Sequence, residues 1–206
     1  MRDASITTDL AASGQIRKLS RREMPLLREH LLRLDPESRR DRFNGYADES
    51  FIERYAEKCE ADGTVVIAYI DDGKVMAAAE LHPPGDGLDP TTPEIAFSVE
   101  RPLRRKGLGS LLFKRLIAEA RMKGYTSLRI TTGAQNDAMR ALASKFGAHL
   151  MFQHGESTGL IDLRRRPSFA TQPVATSAAD LARTVIDFNH ACWKLTLQMY
   201  GLDRVA

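Results

Sequence analysis

The stretch Glu94-Ile-Ala-Phe-Ser-Val-Glu-Arg-Pro-Leu-Arg-Arg-Lys-Gly-Leu-Gly-Ser-Leu-Leu112 holds the residues best placed to do chemistry. Its opening reads as a short buried strand, its middle as a basic turn, and Gly107-x-Gly109 as the start of an amphipathic helix. Such a junction holds anions. The amides of a first helical turn have no acceptor within the helix, and the helix dipole favours negative charge beside them. Arg101, Arg104, Arg105 and Lys106 stand just ahead of it, and the glycines allow close approach of the backbone. A ligand with several phosphates suits such a site. Two familiar phosphate motifs fail here. A dinucleotide fingerprint requires a third glycine where Leu112 stands, and a P-loop requires Gly-Lys-Ser/Thr, whereas Lys106 precedes Gly107 and Ser110 follows Gly109.

The elements that must position these residues follow from periodicity. Gln15–Leu19 is a candidate first strand. Ser20-x-x-Glu23 is a capping box ahead of a helix with Met24, Leu27, Leu31 and Leu34 on one face. Asp35-Pro36 caps and starts a second helix through Phe43, and a third begins at Asp48 or Ser50, with Ile52, Tyr55, Ala56 and Cys59 inward. Thr64–Ile70 and Val75–Leu81 form a hairpin about Asp72-Gly73. His82–Pro93 is a loop. Then come strand Ile95–Val99, helix Gly107–Met122, strand Ser127–Thr131, helix Asn136–Phe146, and a closing hairpin of His149–Gln153 with Thr158–Leu163.

This order, with Arg104-x-x-Gly107-x-Gly109, resembles the GNAT superfamily of N-acetyltransferases. Pro36-Glu-Ser-Arg-Arg-Asp-Arg-Phe43, Glu94-Ile-Ala-Phe-x-Val99 and Asn136-x-x-Met139…Leu142…Lys145-Phe-Gly-Ala148 are similar to segments of bacterial Pat-type protein-lysine acetyltransferases. The resemblance implies an α/β (α+β) GNAT fold: a mixed, mostly antiparallel sheet flanked by helices. It implies acetyl-CoA as co-substrate. Glu94 would be the catalytic base, with Glu80 and Glu100 in reserve. The backbone of Phe97, Ser98 and Val99 would hold the pantetheine arm, and Arg104, Arg105, Lys106, Gly107, Leu108, Gly109 and Ser110 the phosphates. Asn136 would contact the coenzyme, although a helix N-cap explains it equally well. An amine attacks only when unprotonated, and a lysine pKa of ~10.4 makes a base necessary at neutral pH. The chain departs from the family at Ala143, where many relatives place a tyrosine as general acid, and at Arg101, where many have proline. Tyr125, His149 and His154 are the substitutes for that acid, each with a plainer structural reading. Arg39, Arg40 and Arg42 receive no role beyond a salt-bridged helix face.

The implied function is transfer of an acetyl or short acyl group from CoA to a primary amine, on a small molecule or a protein lysine. The alternatives are a non-catalytic acyl-CoA sensor, because Ala143 removes one catalytic group, and an interaction module.

Composition bounds the rest. The 206 residues suit one domain with an appendage, and a net charge of +3 gives no general affinity for nucleic acid or membrane. No apolar run approaches a membrane span and no signal peptide is evident, so the expected location is cytoplasmic. Cys59 and Cys192 read as reduced core residues, and His and Cys spacing predicts no metal site. The organisation expected is a loose tail (1–13), the acyltransferase domain (14–163), a linker (164–176) and a C-terminal helix (177–206). The apolar stripe Leu181, Val185, Phe188, Cys192, Leu195 and Met199 must be covered, which favours a homodimer.

Overall fold

A computed structural model describes residues 14–85, 91–153 and 155–164. The expected N-terminal tail, His154, all but the first residue of the linker, the C-terminal helix and the homodimer built on it lie outside the described residues.

Seven strands form one sheet in the order β1-β2-β3-β4-β5-β7-β6. They are β1 (Gly14–Lys18), β2 (Val65–Asp71), β3 (Lys74–His82), β4 (Glu94–Val99), β5 (Ser127–Gly133), β6 (His149–Gln153) and β7 (Glu156–Asp162). The helices are α1 (Met24–Arg33), α2 (Pro36–Phe43), α3 (Glu49–Ala61), α4 (Leu108–Met122) and α5 (Asp137–Lys145). Every pairing is antiparallel except β4 with β5. Short 3₁₀ turns at Arg21–Glu23 and Arg101–Leu103 supplement them, and the Ser20–Glu23 capping box closes the first of these turns. Among the described residues, no helix is long and apolar enough to cross a membrane.

The sheet is covered on both faces, which explains why β2 is buried without a break from Val65 to Tyr69. One face carries Val65, Ile67, Tyr69, Ile95, Leu128 and Ile130 against Leu108, Leu112, Phe113 and Leu116 of α4. The other carries Val66, Ala68 and Ala78 against Leu27, Leu31, Ile52 and Cys59 of α1 and α3. The Asp72-Gly73 turn has both residues left-handed, at φ 48° and 71°, as a two-residue hairpin requires.

Two features place the functional region. First, the parallel β4–β5 ladder holds only Glu94 with Arg129 and Ile95 with Ile130, after which the strands part. Second, α2 lies across that parting, packed against both β4 and β5. On the opposite face a ring stack wedges beneath it: Phe97 of β4, Phe113 of α4 and Phe146, with centroids 4.8 and 4.2 Å apart. Phe113 has no exposed surface. Phe113→Ala should destabilise the fold by about 3–5 kcal/mol, seen as a lower urea midpoint at unchanged slope.

Candidate active site

The gap between β4 and β5 follows from strand parity. Glu100 N donates to Met76 O at 3.1 Å, so alternate residues Ser98 and Ala96 also turn their backbone groups toward β3. Phe97 and Val99 turn theirs toward β5, where the ladder has already ended. Of the strand residues expected to hold a ligand through backbone, Phe97 and Val99 therefore face the gap. Ser98 is committed to β3, and its hydroxyl lies 2.9 Å from His30 Nε2.

The loop after β4 ends at Gly107, the left-handed N-cap of α4 at φ 79°, with Arg105 also left-handed at φ 61°. Gly107 has no side chain to cap the helix, and the first α-helical bond runs from Leu111 N to Gly107 O at 3.2 Å. The amides of Leu108, Gly109 and Ser110 thus lack helical acceptors. Arg105 and Lys106 are exposed beside them. Lys145, at the end of α5, adds a cation that spacing did not reveal, with its Nζ donating to Ser110 Oγ at 3.1 Å. A polyphosphate fits this set of donors.

Other residues expected at this site make contacts within the protein. Arg104 turns inward, donating from Nε to Val99 O at 3.0 Å and from a terminal nitrogen to Ser38 Oγ at 2.5 Å. Arg101 pairs with Asp35 at 3.0 Å and with Glu37, so α2 neutralises it. At Gly109 a Cβ would lie 3.3 Å from Leu142 Cδ2, a tight contact with the end of that side chain. Asn136 caps α5, its Oδ1 accepting from Met139 N at 3.0 Å.

Three carboxyls were candidate bases, and the structure separates them. Glu100 is bound by His30 and Arg33, each at 3.2 Å; burial opposes its ionisation, but these partners hold it below the usual range. Glu80 is fully buried. Burial alone would raise it, yet Arg42 at 2.9 Å, His82 at 3.4 Å and the Tyr55 hydroxyl at 2.6 Å hold it far below the usual range. In both, these partners oppose proton uptake. Glu94 is half-buried at the closed end of the gap. Burial pushes it above the ordinary value, partly offset by His82, Thr131, Arg129 and Arg42.

The buried network under Glu94 escaped sequence reasoning. Arg42 of α2 donates to the Tyr55 hydroxyl as well as to Glu80, and Tyr55 Oη lies 3.0 Å from His82 Nε2. The signal available was Arg42 within the Pat-like segment, to which periodicity assigned only a solvated face. Ligand-type atoms of Cys59, Glu80 and His82 lie within 4.8 Å of one another. A metal ion there would face the Arg42 guanidinium already bound to Glu80, so the donor set does not suit one. Ala143 is fully buried. Of the substitutes for its missing hydroxyl, Tyr125 follows the far end of α4, about 20 Å along the helix from Gly107. His149 is exposed on the edge strand β6. Neither stands at the gap.

His82 links this network to stability. Burial disfavours its cation, but Cys59 and the Glu80 carboxylate outweigh burial and push it from 6.5 up to about 9. Between those values the folded chain binds the extra proton, so this contribution is complete below pH 6.5 and lost as pH rises through about 9. Melting temperature should fall over that window in the parent, and His82→Gln should flatten the fall.

The family model described as acetyltransferase (GNAT) family matches residues 28–148. The GNAT domain of PAT from S. lividans superposes with a TM-score of 0.61 at 19% identity, covering 72% of this chain and 90% of that one. A ribosomal-protein-alanine N-acetyltransferase from Brucella melitensis gives 0.54 at 21% identity, over 72% and 99% of the two chains. The PaiA N-acetyltransferase of Thermoplasma acidophilum, solved with coenzyme A, gives 0.53 at 17% identity, over 73% and 99%. Likeness at these identities establishes the fold.

Proposed function

This chain belongs to the GNAT family of acetyltransferases, and we propose that it moves an acetyl or short acyl group from acetyl-CoA to a primary amine. The reaction is direct attack within a ternary complex, with no covalent enzyme intermediate. The observation that carries this reading is the gap between β4 and β5, with a raised carboxyl at its closed end and uncapped amides at the start of α4.

In this reading the coenzyme's phosphates bind the amides of Arg105 to Ser110 and the side chains of Arg105, Lys106 and Lys145. The backbone of Phe97 and Val99 holds the arm. Arg104 and Asn136 position the loop and α5 from within. The thioester supplies an acyl carbon open to attack. Glu94 removes a proton from the acceptor's ammonium, and its raised pKa brings it nearer to that task than an ordinary carboxyl at ~4.3. The neutral amine attacks, the carbon–sulfur bond breaks, and the leaving thiolate takes up the second proton that the nitrogen sheds as it becomes an amide. A thiol pKa near ~8.5 makes that leaving group tolerable without a tyrosine at Ala143.

Burial of Ala143 in place of a hydroxyl favours one second reading, an acyl-CoA sensor without turnover. Thiol release from acetyl-CoA in the presence of a panel of amines, including lysine peptides, decides between them. Release with any amine supports the enzyme, whereas tight binding without release supports the sensor.

Glu94→Gln keeps the shape and removes the proton acceptor. Turnover should fall by ~10²–10⁴-fold with CoA affinity retained; wild-type turnover at neutral pH would remove Glu94 from the mechanism. Arg105→Glu and Lys106→Glu should each weaken CoA binding about tenfold or more in calorimetry, with melting temperature preserved. Unchanged affinity in both would move the phosphate site elsewhere.

A further inference from the structure

We propose that Thr131 is a positioning residue for the proposed transfer: its hydroxyl and the Glu94 carboxyl together hold the acceptor's nitrogen while Glu94 takes its proton. The inference rests on the acyltransferase reading above and adds a residue that no sequence motif marked.

The geometry begins with register. Glu94 pairs with Arg129 in the parallel ladder, so Arg129, Thr131 and Gly133 share the sheet face of Glu94. Thr131 comes directly after Ile130, the last β5 residue paired with β4, and so lines the gap where it opens. Its Oγ1 is buried with no close hydrogen-bond partner, and it lies near enough to the Glu94 carboxyl to favour the carboxylate. Buried hydroxyls are normally satisfied, and one left open at the mouth of a gap points to a bound group. The adjoining Thr132 hydroxyl is also buried and unpartnered, but parity places it on the opposite face, toward α4.

A hydroxyl and a carboxylate on one face form a pair of acceptors suited to a primary ammonium. Thr131 Oγ1 accepts one N–H and Glu94 accepts another. The proton on the second passes to the Glu94 carboxylate, leaving a neutral nitrogen whose lone pair forms the new N–C bond as the C–S bond breaks. The surplus proton that this nitrogen then sheds goes to the leaving thiolate, giving an amide and the free thiol. The charged and titratable groups around Glu94 are His82 and Glu80 of β3, Arg129 of β5, Arg42 of α2 and Tyr55 of α3. Glu80 is already paired with Arg42, and Thr131 acts on Glu94 as a neutral dipole. It favours the carboxylate form, against the effect of burial.

Thr131→Val preserves shape and removes the hydroxyl, and Thr131→Ser restores it. The valine variant should lower kcat/KM for the acceptor about tenfold to a hundredfold, leave acetyl-CoA affinity by calorimetry unchanged, and move the acid limb of the pH profile upward. Serine should recover most of the loss. Wild-type acceptor kinetics in Thr131→Val, or equal loss in both variants, would overturn the proposal. If Glu94→Gln is crippled while Thr131→Val is normal, this inference fails and the acyltransferase reading stands. If neither substitution matters, that reading fails too. Carbon-13 titration of the glutamate carboxyls gives a readout independent of turnover. The Glu94 resonance, assigned by its loss in Glu94→Gln, should titrate at higher pH in Thr131→Val, and an unmoved titration counts against the proposal.

Discussion

The parting of β4 from β5 is the constraint on which the rest of this structure depends. Two neighbouring strands inside a sheet ordinarily keep their ladder, because unmade backbone bonds are costly when buried. Here the ladder stops after Ile95 and Ile130. The opening persists because each flank is anchored elsewhere. β4 is laddered to β3 along its whole length, and β5 to β7 from Ser127 to Gly133. Beneath the gap, the Phe97–Phe113–Phe146 stack fills the space that closure would need. Above it, α2 is fastened at several points: Asp35 and Glu37 to Arg101, Ser38 to Arg104, Arg42 to Glu80, and the following Asn44 to Glu156. Gly133 completes the fit, since a Cβ there would lie 2.7 Å from Asn44 Oδ1.

The same anchoring sets the electrostatics at the closed end. A carboxyl that serves as a base must be free of a strong ion pair, yet not so desolvated that it stays protonated. Glu80 takes up the Arg42 guanidinium, which would otherwise act on Glu94 without opposition. His82, directly across the β3–β4 ladder from Glu94, supplies a positive charge that is itself bound to the Glu80–Tyr55 pair. Glu94 is therefore raised by burial and only partly lowered by cations. The buried network beneath the gap thus acts as more than a stabilising cluster. It leaves one carboxyl of three raised above the ordinary value while the other two are held below it.

Much of this fold was legible in the residue pattern, because the pattern encodes which face of an element is buried. Leu108, Leu112 and Leu116 announced α4, the Asp72-Gly73 turn announced its hairpin, and Asp35-Pro36 announced the start of α2. The anion-ready loop was legible too, since it rests on local backbone chemistry. Partners distant in sequence were not. Nothing near Glu80 says that Arg42 lies against it, so its carboxyl read as a reserve catalytic base. Arg104 looked like a phosphate ligand and became an internal brace, because a charge cluster records composition and not direction. Gly109 looked like a point of ligand approach, but Leu142 is what lies close to it. Lys145 reached the loop only through the packing of α5 on α4, which periodicity cannot place.

The brace at Arg104 has a consequence for what the gap can accept. One guanidinium joins the Val99 carbonyl to Ser38 of α2, tying the end of β4 and its loop to the helix across the gap. The separation between Glu94 and the first amides of α4 is then set by the length of β4 itself. Five residue steps from Glu94 to Val99 at about 3.3 Å each span roughly 17 Å, before the loop is counted. A nucleotide that reacts at its own phosphate would find its reacting atom at the loop, far from Glu94. A ligand fits only if a long, extended arm separates its phosphates from its reacting carbon and can lie along Phe97 and Val99. The coenzyme A thioester of the proposed reaction meets that requirement, which follows from the strand geometry.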